Sequence, residues 1–251
     1  MSSAESPQTG IHIIFGAAGG IGTALCHRLA RAGHTVIAAS RTPERLAGLE
    51  SLPNIHTVVA DPGNPSSVDA LLVKVVQEQG RIDGVANLAG AFLLKPAHLT
   101  SDEEFAQQIQ TNLVTAFNVL RSAVRHFGEG GGSIVLMSSV AATMGLANHE
   151  AVAASKAGIE GLTRSAAATY ASRRIRINAV APGLTRTPLT ARLTANEASL
   201  KASAAMHPLG RIGEPEEVAS AIAWLLSSDA AWVTGQTIGV DGGLSKVRSR
   251  G

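Results

Sequence analysis

Apolar and polar residues follow two alternating patterns along the chain. Short runs rich in β-branched residues predict strands at 11–15, 35–39, 55–60, 82–88, 133–138, 175–181 and 236–240. Longer alanine-rich segments with helical spacing predict helices at about 20–32, 43–50, 65–79, 101–127, 149–172 and 215–227. Ser101 and Glu104 form a capping-box pattern, which indicates where the 101–127 helix begins.

The alternation of strand and helix predicts parallel strands, because a parallel pair cannot be joined by a tight turn. The strands are almost continuously apolar, as expected when helices cover both faces of a sheet. The predicted fold class is therefore α/β, a single-domain, Rossmann-like doubly wound parallel sheet of about seven strands flanked by helices. Without a linker or repeat in the sequence, we predict one domain at 11–246, a flexible N-terminal tail at 1–10 and a C-terminal tail at 247–251.

Composition limits the partners and the cellular compartment that the sequence predicts. The 251 residues are 45% hydrophobic, and Lys+Arg 21 against Asp+Glu 19 leaves a net charge of only +2, which does not indicate a nucleic-acid partner. Cys26 is the only cysteine, so an intrachain disulfide is excluded, and no metal ligand set is predicted. The polar N-terminus lacks a signal-peptide core, and no apolar run approaches the ~20 residues that span a bilayer. We expect a cytoplasmic protein, with Lys246, Arg248 and Arg250 in a solvated tail.

A glycine-rich loop follows the first predicted strand and leads directly into a helix. It contains Gly16, Gly20, Ile21 and Gly22. Glycines allow a sharp turn there and let a diphosphate approach the helix N-terminus, where free N–H groups favour an anion. Glycine-rich turns also occur for packing alone, but the position between first strand and helix favours dinucleotide binding.

The residues after the second strand bear on cofactor choice. Ser40 and Arg41 stand where NAD-binding sheets place an acidic residue for the ribose 2′-hydroxyl. An arginine suits a 2′-phosphate, so NADP(H) is favoured over NAD(H). A solvated arginine on a loop is the alternative interpretation.

Small and polar residues also end the third and fourth strands. They are Asp61, Asn87, Ala89 and Gly90. Asp and Asn are common turn formers, which is one explanation for them. A cofactor that lies across the carboxyl ends of the strands explains the whole set together, and we predict that these residues bind it.

The motifs together resemble the short-chain dehydrogenase/reductase family from about residue 10 to residue 246, and are most similar to its 3-oxoacyl carrier-protein reductase branch. The matching segments are the glycine loop, NLAG at 87–90, Asn112, Ser139, SKAG at 155–158, NAVAPG at 178–183 with Thr185 and Thr187, and VTGQTIGVDGG at 233–243. The resemblance implies nicotinamide-dependent interconversion of a carbonyl and an alcohol. It assigns Asn112 to a water relay, Ser139 to the substrate oxygen and Lys156 to the nicotinamide ribose. It also assigns Pro182, Gly183, Thr185 and Thr187 to cofactor binding.

The same resemblance places a catalytic tyrosine four residues before Lys156, and Val152 occupies that position. Tyr170, the only tyrosine, lies fourteen residues beyond Lys156, about 20 Å away at 1.5 Å per residue of helix. A general acid typically contributes ~10²- to 10⁴-fold to a rate, and valine donates no proton.

Three interpretations of this departure follow. In the first, His149 replaces the tyrosine hydroxyl as the proton donor, because its i, i+7 spacing places it on the helix face that carries Lys156. The alternative explanation for this residue is helix initiation, with Asn148 as the N-cap. In the second interpretation, water held by Ser139, Lys156 and Asn112 supplies the proton. In the third, the protein binds NADP(H) without catalysis, as a sensor or an inactive partner in an oligomer.

The substrate and direction of reaction are not specified by the sequence. The segment 184–211 is expected to form a helical flap over the substrate, and its Arg186, Arg192, Lys201 and Arg211 either contact an anion or face water. The resemblance implies a small-molecule carbonyl or alcohol substrate and a homo-oligomer, a tetramer or dimer, built on the helices at 101–127 and 149–172.

Overall fold

The computed structural model describes residues 9–50 and 52–248, which form one seven-stranded, wholly parallel sheet in the order β3-β2-β1-β4-β5-β6-β7. The fold-class prediction is confirmed. The strands are β1 Ile11–Phe15, β2 Thr35–Ser40, β3 Ile55–Val59, β4 Gly84–Asn87, β5 Gly132–Met137, β6 Ile175–Pro182 and β7 Thr237–Val240. The chain order reverses beside β1, which pairs with β2 on one side and β4 on the other, so a crevice opens at the carboxyl ends of these strands.

Helices cover both faces of the sheet. They are α1 Gly20–Arg31, α2 Pro65–Gln79, α3 Asp102–Gln108, α4 Thr115–His126, α5 Glu150–Tyr170, α6 Ala191–Thr194, α7 Glu197–Met206 and α8 Pro215–Leu226. One buried cluster joins α2, α4 and α5 to the sheet, and the other joins α1 and α8 to its opposite face. Tyr170 packs against the first cluster, in agreement with a structural role.

The helix predicted at 101–127 is divided into three parts. The capping box at Ser101 and Glu104 is present and begins α3. A π-helical turn, Ile109–Val114, then separates α3 from α4, and Asn112 lies within it. Such wider turns are often found at functional sites, because they re-aim the side chains they carry.

The structure corrects two local predictions. The helix predicted at 43–50 is instead a 3₁₀ turn, Pro43–Arg45, followed by further turns. Leu46 and Leu49 are buried, so the apolar spacing that suggested a helix serves packing, while a segment this short, containing Gly48, gains too few hydrogen bonds to propagate an α-helix. At the start of α5, His149 is the N-cap, because Asn148 adopts a left-handed conformation with φ 63°.

The predicted tails lie largely outside the described residues, which exclude residues 1–8 and 249–251 and therefore Arg250. Gly10, at the end of the predicted N-terminal tail, donates its amide to His34 Nδ1 at 2.9 Å. Within the described part of the chain, none of the helices combines the length and apolar character needed to cross a membrane.

Candidate functional site

A cleft of about 1010 Å³ runs along the carboxyl ends of the strands and beneath the flap. Almost all of the predicted site residues line it: Gly16, Gly20, Ile21, Gly22, Ser40, Arg41, Asp61, Ala89, Gly90, Asn112, Ser139, His149, Lys156, Pro182, Gly183, Thr185 and Thr187. Asn87 does not line the cleft. It lies behind the wall, where its Oδ1 accepts from the Ala89 amide at 3.3 Å and its Nδ2 donates to Thr115 Oγ1 at 3.2 Å.

The glycine loop is built by two close backbone approaches. Gly16 has φ 77°, and a Cβ added there would lie 2.7 Å from the Ala89 nitrogen. A Cβ at Gly22 would overlap the Gly16 carbonyl oxygen. The following helix begins after Gly19, which provides no side-chain cap, and its first turn contains no acidic residue. Its first N–H groups are therefore available to an anion, and the residues fit a diphosphate.

Two arginines lie at the β2 end of the cleft. Arg41 is exposed, and Arg45, which the sequence analysis missed, lines the cleft from the adjoining 3₁₀ turn. Arg45 falls within the helix predicted at 43–50, and the repeat Arg41-x-x-x-Arg45 is the sequence signal that could have identified it. Asp61, which follows β3, also lines the cleft, and its Oδ1 accepts from the Gly63 amide at 2.9 Å, as in a turn-forming aspartate. Paired guanidinium groups at this end are suited to a phosphate.

Asn112 is fully buried, and its side chain is already engaged. Its Nδ2 donates to the carbonyl oxygens of Gln108 at 3.0 Å and Ala91 at 3.2 Å, while its Oδ1 accepts from the Ala91 amide at 3.1 Å. A Cβ added at Gly90 would lie 2.9 Å from Asn112 Oδ1 and 3.5 Å from Lys156 Nζ. Gly90 therefore leaves room at the point where these two side chains meet.

Lys156 lies at the inner end of the cleft with Ser139 and Val152. Its Nζ donates to the Met137 carbonyl oxygen at 2.8 Å, and burial lowers the pKa of the Lys156 ammonium to about 8. Ser139 Oγ accepts from the Ala141 amide at 3.2 Å, which leaves its own proton free to donate. Val152 lines the cleft with only 3% of its surface exposed, so the wall beside Lys156 is apolar.

His149 lines the cleft from the N-cap position of α5. Its Nδ1 lies 2.8 Å from the Ala147 carbonyl oxygen, and its ring stands edge-on to Phe92 with 5.7 Å between centroids. Donation from Nδ1 to that carbonyl fixes the tautomer, so Nε2 is the acceptor nitrogen when the ring is neutral. The imidazole then releases a proton from Nε2 only when it is charged.

The flap contributes an apolar wall that includes Leu189, Leu193 and Met206. Its basic residues do not line the cleft: Arg186 pairs with Glu214 at 3.2 Å and Arg211 pairs with Glu217 at 2.6 Å. Pairing at the surface favours the solvent-facing interpretation of these arginines.

His207, which the sequence analysis also missed, closes the flap end of the cleft. It is 4% exposed, its Nδ1 lies 2.7 Å from the Ser203 carbonyl oxygen, and its Nε2 has no partner among the described residues. Nothing in the local sequence MHPLG distinguishes it from a surface histidine.

Comparisons with known proteins agree over nearly the whole chain. A family model described as enoyl-(acyl carrier protein) reductase matches residues 16–245. The 3-oxoacyl-(acyl-carrier-protein) reductase FabG of Thermotoga maritima is 40% identical over 240 residues, covering 92% of this chain and 96% of that protein. A short-chain type dehydrogenase/reductase from Mycobacterium ulcerans has a TM-score of 0.92 at 32% identity, covering 97% of this chain and 92% of the other. ElxO, solved as a tyrosine-to-phenylalanine variant with NADPH bound, has a TM-score of 0.88 at 28% identity, covering 94% and 99%.

Proposed function

The chain belongs to the short-chain dehydrogenase/reductase family of NAD(P)-dependent enzymes, and from that premise we propose that it interconverts a carbonyl group and an alcohol with NADP(H). The observation that carries the proposal is the arrangement of one continuous cleft. Arg41 and Arg45 lie at its β2 end, the glycine loop at its centre, and Lys156 with Ser139 at its inner end. This order matches the 2′-phosphate, diphosphate and nicotinamide of an extended dinucleotide.

NADP(H) is preferred in this proposal because two guanidinium groups face the place of the ribose phosphate. Within the described residues, Asp61 is the only carboxylate that lines the cleft, and it is engaged with the Gly63 amide. ElxO, similar to this chain over 94% of its length, was solved with NADPH bound. We expect tighter binding of NADPH than of NADH.

The residues at the inner end have different roles in carbonyl reduction. The bound cofactor supplies the hydride. Ser139 donates its hydroxyl proton to the substrate oxygen, which stabilises the negative charge that develops there. Lys156, as an ammonium ion below pH about 8, holds the proton that must finally reach that oxygen. Val152 leaves a gap between this ammonium and the substrate, and a water molecule held by Lys156 and Ser139 would bridge it.

His149 is the alternative proton donor. It lines the same cleft, but its ring is oriented by Ala147 and Phe92. Asn112 contributes by position rather than by donating, since both protons of its amide are engaged. We propose that the water held by Lys156 and Ser139 delivers the proton, because burial lowers the pKa of Lys156 and makes its ammonium a better proton donor.

A carbonyl-substrate panel with NADPH and NADH tests the proposal, read by loss of reduced-cofactor absorbance beside a calorimetric titration of each cofactor. Native turnover that survives His149→Ala supports donation through Lys156. Val152→Tyr is expected to raise carbonyl reduction about 100-fold by restoring a general acid, whereas Val152→Phe, which adds the same ring without the hydroxyl, is not. NADPH binding without native turnover, with activity appearing only in Val152→Tyr, would instead establish a catalytically silent NADP(H)-binding protein.

We also propose that the protein forms a homo-oligomer through α3, α4 and α5. Phe105 on α3 is 45% exposed and Phe117 on α4 is 46% exposed. Exposed aromatic side chains on neighbouring helices are suited to burial against another subunit. Light scattering after size exclusion should report a dimer or tetramer, and Phe117→Glu should shift it towards the monomer.

A further inference from the structure

The imidazole of His149 is held in one orientation at the start of α5. Its Nδ1 lies 2.8 Å from the Ala147 carbonyl oxygen, and its ring packs edge-on against Phe92. Its own carbonyl oxygen accepts from the Ala153 amide at 2.7 Å, which fixes the backbone at this position. A side chain held in this way loses little conformational entropy when a ligand binds to it.

The other ring nitrogen of His149 is free. A carbonyl oxygen only accepts hydrogen bonds, so the neutral ring carries its proton on Nδ1 and its Nε2 presents a lone pair. Among residues 9–50 and 52–248, none hydrogen-bonds to this Nε2, and unlike the buried Nε2 of His207 it remains accessible to solvent. A substrate that covers this nitrogen removes its water, and a hydrogen-bond donor on the substrate then compensates for the loss.

This acceptor lies along α5 from the residues that act on the carbonyl. Val152 follows His149 by three residues and Lys156 follows it by seven, so the three share one helix face, and all line the cleft. At 1.5 Å per residue, His149 is about 4.5 Å along the helix axis from Val152 and about 10 Å from Lys156. A substrate whose carbonyl lies beside Val152 and Ser139 therefore extends its other end towards His149.

The charges that line the cleft lie away from this acceptor. Among the described residues, the charged side chains of the lining are Arg41, Arg45, Asp61 and Lys156. The first three follow β2 and β3, and the fourth lies two helical turns along α5. Phe92 beside His149 adds apolar surface. A charged group on the substrate would lose its water here without a partner of opposite charge, whereas a hydroxyl group finds an acceptor.

We propose that His149 determines substrate specificity, and that the preferred substrates are neutral ketones or aldehydes that carry a hydroxyl group apart from the reacting carbonyl. The inference rests on the proposed NADP(H)-dependent reductase function and names its substrate class. The hydroxyl group donates to His149 Nε2 and is unchanged by the reaction. The carbonyl carbon gains the hydride from NADPH, its oxygen gains one proton from solvent by way of Lys156, and the products are a diol and NADP⁺.

The test compares three ring ketones of similar size with the native protein and NADPH at about pH 7.5, above the ordinary pKa of an imidazole. 4-Hydroxycyclohexanone carries the donor, 4-methoxycyclohexanone keeps the oxygen without its proton, and 4-methylcyclohexanone has neither. A neutral hydrogen bond should raise kcat/KM for the hydroxyl compound about three- to tenfold above each counterpart. The difference should lie in KM, because the hydrogen bond is the same in the bound substrate and in the transition state.

Two substitutions separate recognition from proton donation by His149. His149→Phe keeps a ring beside Phe92 but removes the acceptor, so the three ketones should become equivalent in KM. His149→Gln places an acceptor oxygen near the position of Nε2 and should retain part of the preference for the hydroxyl compound. A fall in kcat for all three ketones in both variants would assign His149 to proton donation and contradict the proposal.

The outcomes distinguish this inference from the proposed function. Equal kcat/KM for the three ketones in the native protein, or a hydroxyl preference that survives in His149→Phe, overturns the inference while leaving the proposed reductase intact. NADPH binding without turnover of any of the three ketones overturns both.

Discussion

Replacing Gly16 by alanine tests whether the glycine loop requires a close approach to the end of β4. The position has φ 77°, and the new Cβ would lie 2.7 Å from the Ala89 nitrogen and 2.8 Å from the Leu88 carbonyl carbon. Both neighbours are backbone atoms, so neither can rotate away. Gly80 supplies a matched control, because it has φ 80° but nothing within 4 Å of its added Cβ.

The two substitutions share one energetic term and differ in the other. A left-handed conformation costs an alanine about 1–2 kcal/mol relative to glycine, and this applies at both positions. Overpacking against fixed atoms adds about 1–3 kcal/mol, and this applies only at Gly16. The gain from a stiffer unfolded chain is common to both and cancels. We therefore expect Gly80→Ala to destabilise by about 1–2 kcal/mol and Gly16→Ala by about 2–5 kcal/mol.

Urea unfolding of both variants measures the difference in free energy, thermal unfolding measures Tm, and titration calorimetry measures NADPH affinity. At roughly 2–4 °C per kcal/mol for a domain of this size, the Tm of Gly16→Ala should lie several degrees below that of Gly80→Ala. NADPH affinity should fall only for Gly16→Ala, since only its loop faces the cleft. Equal stability losses, or unchanged NADPH affinity in Gly16→Ala, would refute the argument from the close approach.

Two further experiments test the arginines at the β2 end of the cleft and the hydrogen bond from Ser138 at its inner end. Joint replacement of Arg41 and Arg45 by alanine should raise the Kd for NADPH at least about tenfold, since each hydrogen bond to a charged group contributes about 1.5–3 kcal/mol, while the Kd for NADH should stay the same. Arg173→Ala, exposed and outside the cleft, is the control, and parallel losses for both cofactors would contradict a 2′-phosphate contact. Ser138→Ala removes the donor from a buried glutamate and should destabilise by about 1–3 kcal/mol in urea, whereas Thr169→Ala, on an exposed stretch of α5, should change little. Similar losses in both would contradict a specific contribution from the hydrogen bond between Ser138 and Glu160.

The sheet and the glycine loop are predictable because their signals are local and strong. Every predicted strand is present with its ends within two residues of the prediction, since each is a short apolar run bounded by turn residues. The end of β4 at Asn87 and the start of α1 at Gly20 follow from glycines and small polar residues that few other structures require. Most residues that line the cleft are therefore predictable from the sequence.

The remaining features depend on contacts between distant segments. The apolar pair Leu46 and Leu49 has helical spacing but serves the core from turns, and spacing alone does not separate the two. The π-helical turn around Asn112 has no sequence signal of its own. His207 is buried only because the flap folds back onto Gly183, where a Cβ would lie 2.6 Å from its Nε2. These features are determined by contacts between distant segments, so no local sequence pattern predicts them.

The central position of β1 in the sheet has a consequence for biosynthesis. Its partner β2 has left the ribosome once residue 40 is exposed, but β4, which covers the other edge of β1, ends only at Asn87. In the interval the nascent chain carries an unpaired strand edge at what will become the middle of the sheet, open to mispairing with other chains. Ribosome-stalled chains ending near residue 80 should therefore aggregate or recruit chaperones more readily than chains long enough to expose residue 87.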